Sequence, residues 1–151
     1  MHRRLRCAFV LAGVAVAGCG THRGPVAATC TAGADTIVAT LKLAPNNVTL
    51  PDGTRLSECV SHAISDSDLQ NVGSMFIGAG DQLVRRAPTD ARSAYELGFL
   101  AGATERGASG TGGVATELVD RIDRFMGDAT GIAPAPRAAF DRGRRAGRAG
   151  G

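Results

Sequence analysis

The feature that most constrains the fold is a stripe of apolar residues between positions 67 and 88. Five of them recur at alternating spacings of three and four: Leu69, Val72, Phe76, Ala79 and Leu83. This spacing places them on one face of an α-helix. The run Ser67-Asp68-Leu69-Gln70 matches a capping box at the start, and Pro88 follows the end. The stripe therefore predicts a long helix with one buried face.

The same period predicts further helices on both sides of this stripe. One predicted helix begins after Thr89-Asp90 and ends near Arg106. A second is predicted over residues 114–126 and ends at Gly127, and a basic C-terminal helix is predicted over residues 137–149. Residues 35–43 favour a short helix over a strand, and Ser57 is predicted to cap a helix that carries Cys59 and His62. Four to five helices with short connections predict an all-α fold, a small bundle.

One segment interrupts the helical pattern. Within residues 46–56, the run Pro51-Asp52-Gly53 is a strong turn signal. It predicts either a short hairpin or an ordered loop in an otherwise helical domain.

The N-terminal segment has the composition of an export signal. Three arginines in the first six residues are followed by about a dozen apolar or small ones, too few to span a bilayer. The segment ends in Val16-Ala17-Gly18-Cys19, which resembles the lipobox of bacterial lipoproteins. The resemblance implies that signal peptidase II removes residues 1–18, that Cys19 receives a diacylglycerol thioether, and that its new amine is often acylated as well. The alternatives are an ordinary secretory signal and a plain membrane anchor.

Lipidation would fix the location of the chain. Two or more acyl chains hold a protein stably on a bilayer that it does not span, so we expect a lipid-anchored protein of the bacterial cell envelope. Because Gly20 is not the aspartate associated with inner-membrane retention, the outer membrane is expected in a Gram-negative cell. In a Gram-positive cell, the outer face of the cytoplasmic membrane is expected.

The remaining residues form a tether and one domain. Residues 19–29 lack periodicity and predict a flexible tether, whereas residues 30–151 have the size of a single helical domain. With no tryptophan and one tyrosine, its core must be small, and a cross-link would stabilise it.

The cysteines supply a candidate cross-link. Of the four, Cys7 leaves with the signal and Cys19 is lipidated, which leaves Cys30 and Cys59 in an oxidising compartment. These two are predicted to form a disulfide. The alternatives are two free thiols or an incomplete metal site, and the sequence offers no further ligands to complete one.

Two segments 45 residues apart share one pattern. Each reads Ala, aromatic, acid, any, Gly, any, any, Ala, Gly, at positions 94–102 and 139–147. In each segment the small residues lie along one helical stripe, which permits close approach of two backbones. The alternative is coincidence in a chain rich in glycine and alanine. We interpret the pattern as a helix-packing motif comprising Ala94, Tyr95, Gly98, Gly102, Ala139, Phe140, Gly143 and Gly147.

Charge is distributed unevenly after the predicted cleavage. Residues 19–136 carry nine basic and thirteen acidic side chains, whereas residues 137–151 carry five arginines and one aspartate. Arg137, Arg144 and Arg148 align on one face of the last predicted helix, with Arg145 nearby. This face either remains solvated, docks against the acidic body, or contacts anionic membrane or an acidic envelope polymer.

The sequence offers little chemistry for catalysis. His62, Asp66 and Asp68 lie close together in sequence, but adjacency alone does not make a catalytic triad. No catalytic, cofactor or metal site is predicted, and a neutral, exported chain with few aromatics does not suit nucleic acid. We therefore expect a non-enzymatic binding or structural module that acts on an envelope protein or polymer. The alternative is a small-molecule-binding protein or hydrolytic enzyme with a site near these three residues.

Overall fold

Helices account for most of the chain in the computed structural model, which describes residues 24–113, 115–127 and 133–151. A short 3-10 helix at Ala28–Thr31 precedes six α-helices in these ranges. They are α1 (Ala34–Leu41), α2 (Leu56–His62), α3 (Asp66–Val84), α4 (Ala91–Ala108), α5 (Thr116–Gly127) and α6 (Pro134–Gly150). The all-α prediction is confirmed, although with six helices in the described ranges rather than four to five.

Two predicted helix starts are wrong by one or two residues. The residue that caps α3 is Ser65, not Ser67, because the extended backbone of Ser65 brings its hydroxyl to the Asp68 N–H at 3.1 Å. Ser57 does not cap α2, which begins at Leu56. There the side chain of Glu58 reaches back and accepts from the Arg55 N–H at 2.8 Å.

The start of α4 is as predicted, and its end and the start of α6 differ. Asp90 caps α4 by accepting from the N–H groups of Arg92 and Ser93, both at 3.0 Å. The helix continues past Arg106 to Ala108. The last helix begins at Pro134 rather than at Arg137, because the first helical turn tolerates prolines that cannot donate hydrogen bonds.

The core is built around α4, which packs against α1, α2, α3, α5 and α6. Twelve of its eighteen residues are buried. The predicted stripe of α3 faces this core, since Val72, Phe76, Ala79 and Leu83 are fully buried and Leu69 is partly buried. Each large side chain buried in this way stabilises the fold by about 1.5–3 kcal/mol.

The segment between α1 and α2 forms a short hairpin-like turn. Thr49 and Arg55 make an antiparallel bridge, and the Leu50 N–H donates to the Thr54 carbonyl at 2.8 Å. Gly53 supplies the positive φ of 88° that this turn requires. Asp52 in the turn accepts from the Thr29 hydroxyl at 2.8 Å, so the turn is joined to the 3-10 helix.

Candidate functional site

The predicted signal and the lipidation residue Cys19 lie outside the described residues. The described chain begins at Gly24, and Val26 and Ala27 already pack against the core. The packed domain therefore begins before the predicted boundary between residues 29 and 30. Four residues separate Cys19 from Gly24.

Cys30 and Cys59 are joined by a disulfide between the 3-10 helix and α2. Their Cα atoms lie 5.6 Å apart, and their exposures are 0% and 1%. The bond holds the N-terminal segment of the domain on the helical core. Its burial indicates a structural role rather than an exposed reactive thiol pair.

The two copies of the repeated pattern pack directly against each other, as part of α4 and α6. A Cβ atom placed on Gly98 would lie 2.1 Å from the Phe140 carbonyl oxygen, and one on Gly102 would lie 2.0 Å from that of Arg144. These neighbours are backbone atoms that cannot rotate away. Only glycine at these positions permits the observed approach of the two helices.

The contacts from the other helix are the counterparts of these. A Cβ atom on Gly143 would lie 2.0 Å from the Tyr95 carbonyl oxygen, and one on Gly147 would lie 2.1 Å from that of Phe99. Adding 45 to the α4 residue and subtracting 45 from the α6 residue turns each contact into its counterpart, so that Gly98 with Phe140 becomes Gly143 with Tyr95. The helices therefore run parallel and are related by a local pseudo-twofold relationship.

Two arginines of α6 bind carboxylates of the preceding helices. Arg144 contacts Glu105 of α4 and donates to Asp123 of α5 at 2.9 Å, and Arg148 also contacts Glu105. Arg106 of α4 donates to the carbonyl oxygens of Arg148 and Ala149 at 2.9 and 2.6 Å. Part of the predicted basic face is therefore docked on the acidic body, while Arg137 and Arg145 are exposed.

The two carboxylates in this network respond differently to their surroundings. Burial raises the pKa of Glu105, but hydrogen bonds from Arg148 and Arg144 outweigh burial, and the pKa lies below its ordinary value. For Asp123, burial is the larger effect, and its pKa is raised despite the nearby Arg144. Docking of the arginines was one of the predicted alternatives, but neither carboxylate could be named, because Glu105 lies about 40 and Asp123 about 20 residues from Arg144 in the chain.

The structure does not bring His62, Asp66 and Asp68 to one site. Asp66 lines a groove between α3 and α5, and the groove is lined by neither of the other two residues. Asp68 accepts from the Ser65 hydroxyl at 2.6 Å, within the capping arrangement of α3. His62 is the last residue of α2 and is partly buried.

The groove between α3 and α5 is a feature that sequence analysis missed. Its volume is about 470 Å³. Leu69, Gly73 and Ile77 form its α3 side, and Leu118 lies on its α5 side. Glu117 and Arg121 at its edge form an ion pair at 2.8 Å. The apolar period of each helix identifies the buried stripe but not the groove left between the two stripes.

Neither metal-ligand clusters nor spanning helices occur in the part of the chain that the structure describes. There, no group of three or more His, Cys, Asp or Glu side chains is arranged to hold a metal ion. Among the same residues, no helix combines the length and the hydropathy needed to cross a bilayer. The chain matches no known family model, no curated protein and no solved structure.

Proposed function

We propose that the chain is the precursor of a bacterial envelope lipoprotein that is anchored through lipid on Cys19. The observation that carries the proposal is the order of three elements in the first nineteen residues: a basic start, a short apolar run and Val16-Ala17-Gly18-Cys19. The disulfide is consistent with export, because such bonds persist in oxidising compartments.

The anchor is tested by the intact mass of the protein isolated from a bacterial membrane fraction. We expect a chain that begins at Cys19 and carries diacylglycerol with or without a further acyl group. Cys19→Ala should abolish both the added mass and the membrane association. Cys7→Ala is the matched control, because this cysteine lies in the apolar run and should leave processing unchanged. An unmodified mature chain in the wild type would refute the proposal.

We propose further that the helical domain acts without catalysis, as a binding or structural module for an envelope protein or polymer. Two observations support this role. The side chains of His62, Asp66 and Asp68 do not converge on a shared groove, and the network of Arg144, Glu105 and Asp123 joins helices to one another. Affinity capture of the lipidated protein from its own envelope, compared with Cys19→Ala, tests whether a partner requires the anchored form. Recovery of the same proteins with both forms would contradict a role that depends on anchoring.

One observation favours small-molecule binding as a second candidate. The α3–α5 groove has a volume of about 470 Å³, which lies within the range of ligand pockets in proteins. Gly73 lies on this groove, and a Cβ atom there would meet only Leu118, at 3.7 Å. Gly73→Leu should therefore fill the groove with little disturbance of the fold. Ligand-observed NMR with a fragment library should detect binders to the wild type that the variant loses, and equal binding would exclude the groove.

A further inference from the structure

We propose that the end of α1 and the turn between α3 and α4 form the face that lies against anionic lipid headgroups. This face, the α1/turn surface, comprises Lys42, Leu43, Arg85, Arg86 and Arg92. The proposal rests on the proposed lipid anchor at Cys19 and assigns the orientation of the anchored domain.

The residues of the α1/turn surface are held together by direct contacts. The Arg92 guanidinium donates to the Lys42 carbonyl oxygen at 2.7 Å, which fixes the start of α4 beside the end of α1. Arg86 joins the same surface, because its carbonyl oxygen accepts from the N–H of Asp90, the residue that caps α4, at 2.9 Å. At the other end of α1, Asp35 accepts from Gln82 of α3 at 2.7 Å.

Positive charge on this surface is available to a partner. Among the described residues, no carboxylate lies within salt-bridge distance of Lys42, Arg85 or Arg86, and all three are exposed. Two of the nearby acids are engaged within α4 and its cap, and Asp81, one helical turn before Arg85, is exposed and forms no ion pair with the described residues. Asp90 accepts from the N–H groups of Arg92 and Ser93 and from the Ser93 hydroxyl, and the buried Glu96 pairs with Arg92 at 2.8 Å.

An exposed apolar side chain lies next to Lys42. Leu43 is 56% exposed and follows Lys42 directly. Only Ile64 is comparable among the large apolar side chains that the structure describes, at 62%. Apolar and basic residues together are what an interfacial surface requires, since the apolar group enters the headgroup boundary while the cations face anionic lipid.

The position of the chain entry supports the same orientation. The 3-10 helix that follows the lipid-proximal residues packs against α1 and α3, the two helices that lead into the surface. The five steps along the chain from Cys19 to Gly24 reach at most about 18 Å when extended. The domain is therefore held close to the bilayer. The exposed arginines of α6 fit an interfacial surface less well, because no apolar side chain among the described residues of α6 is both large and exposed.

The test uses tryptophan as a reporter, because the natural chain contains none. Lipidated protein carrying Leu43→Trp is reconstituted into equimolar phosphatidylglycerol–phosphatidylcholine vesicles that contain a brominated phosphatidylcholine. Ile64→Trp is the matched control, because residue 64 precedes the start of α3, whereas Arg85 and Arg86 follow its end. The nineteen residues of this helix make it about 28 Å long. We expect a blue-shifted emission and strong quenching at position 43, and neither at position 64.

Charge reversal then separates this surface from α6. Lys42→Glu, Arg85→Glu and Arg86→Glu are introduced together into the Leu43→Trp protein. The matched control reverses Arg137, Arg142 and Arg145. The first set should reduce quenching at least threefold, and the control set should leave it unchanged. Equal quenching at positions 43 and 64, or greater loss with the control set, would overturn the proposal. The anchor is checked separately on every sample by intact mass, so a protein without lipid refutes the anchor, whereas a lipidated protein without quenching refutes only the orientation.

Discussion

A single methyl group at Gly147 provides a stringent test of the contact between α4 and α6. A Cβ atom there would lie 2.1 Å from the Phe99 carbonyl oxygen and 2.8 Å from the Ala103 nitrogen, whereas ordinary contact begins at 3.4 Å. The shortfall of 1.3 Å to the carbonyl oxygen involves backbone inside α4, which cannot rotate aside. Gly147→Ala must therefore push the two helices apart.

The expected cost follows from two opposing effects. Overpacking of a close interior contact costs about 1–3 kcal/mol, and a displaced helix pair lies at the upper end of that range. Alanine gains about 1 kcal/mol over glycine within a helix. The free energy of unfolding should therefore fall by about 2 kcal/mol, which lowers the Tm of a domain of this size by about 8 °C.

The assay is thermal and urea unfolding, followed by far-UV circular dichroism, of the mature chain carrying Cys19→Ala. Gly150→Ala is the matched control, because it makes the same change in the same helix and a Cβ atom at Gly150 would meet nothing within 4 Å. The control should change stability by less than about 0.5 kcal/mol, since helix ends contribute little. A Gly147→Ala protein as stable as the control would refute the close contact.

The reciprocal geometry extends this prediction to α4. A Cβ atom on Gly102 would lie 2.0 Å from the Arg144 carbonyl oxygen, so Gly102→Ala should cost about as much as Gly147→Ala, to within about 0.5 kcal/mol. The double variant should lose less than the sum, because the first alanine already separates the helices. Strict additivity would indicate two independent sites rather than one shared contact.

Four further changes test the rest of the structure. Replacing Cys30 and Cys59 together by serine should lower the free energy of unfolding by about 3–4 kcal/mol, measured by urea denaturation, because the bond closes a loop of about 30 residues. The folded-state pKa of Glu105 is lowered, so its stabilising effect is present above its unfolded value of 4.5 and is lost as pH falls through the folded value. Glu105→Gln should therefore cost about 1–3 kcal/mol at neutral pH and progressively less below pH 4.5 in a pH series of urea titrations. The pKa of Asp123 is raised, so its ionised form opposes folding at neutral pH, and Asp123→Asn should be neutral or slightly stabilising there. Asp90→Ala should cost about 1 kcal/mol in thermal unfolding, because two backbone N–H groups lose their cap.

Most of the helices could be predicted from the sequence because their evidence is local. The stripe of α3 and the start of α4 after Asp90 depend on residues within a few turns of one another, and both predictions were confirmed. The prediction of Ser67 as the cap of α3 was wrong, because Ser65 is also a serine with an acid nearby and its local sequence is no less suited to a cap. Only the extended backbone of Ser65 distinguishes them.

The features of the candidate site depend on contacts between residues that are far apart in the chain, and the sequence does not show which of these residues meet. The repeat at 94–102 and 139–147 predicts two helices with small-residue stripes, but it does not say which surfaces those stripes meet. Likewise, the arginines of α6 were visible as a face, but not their pairing with Glu105 and Asp123. The cations of the α1/turn surface were harder still to detect, because Lys42 and Arg92 are 50 residues apart.

The arrangement of α4, α5 and α6 explains why the repeat forms a parallel pair. Two parallel helices cannot be joined by a tight turn, since the end of the first lies far from the start of the second. Here α5, which packs on both α3 and α4, supplies the return connection. Its twelve residues reach about 18 Å, about two thirds of the length of the eighteen-residue α4. The reciprocal contacts therefore depend on α5 remaining in place. Asp123 of α5 meets Arg144 near the middle of α6, so the connector touches both helices of the arrangement rather than only α4.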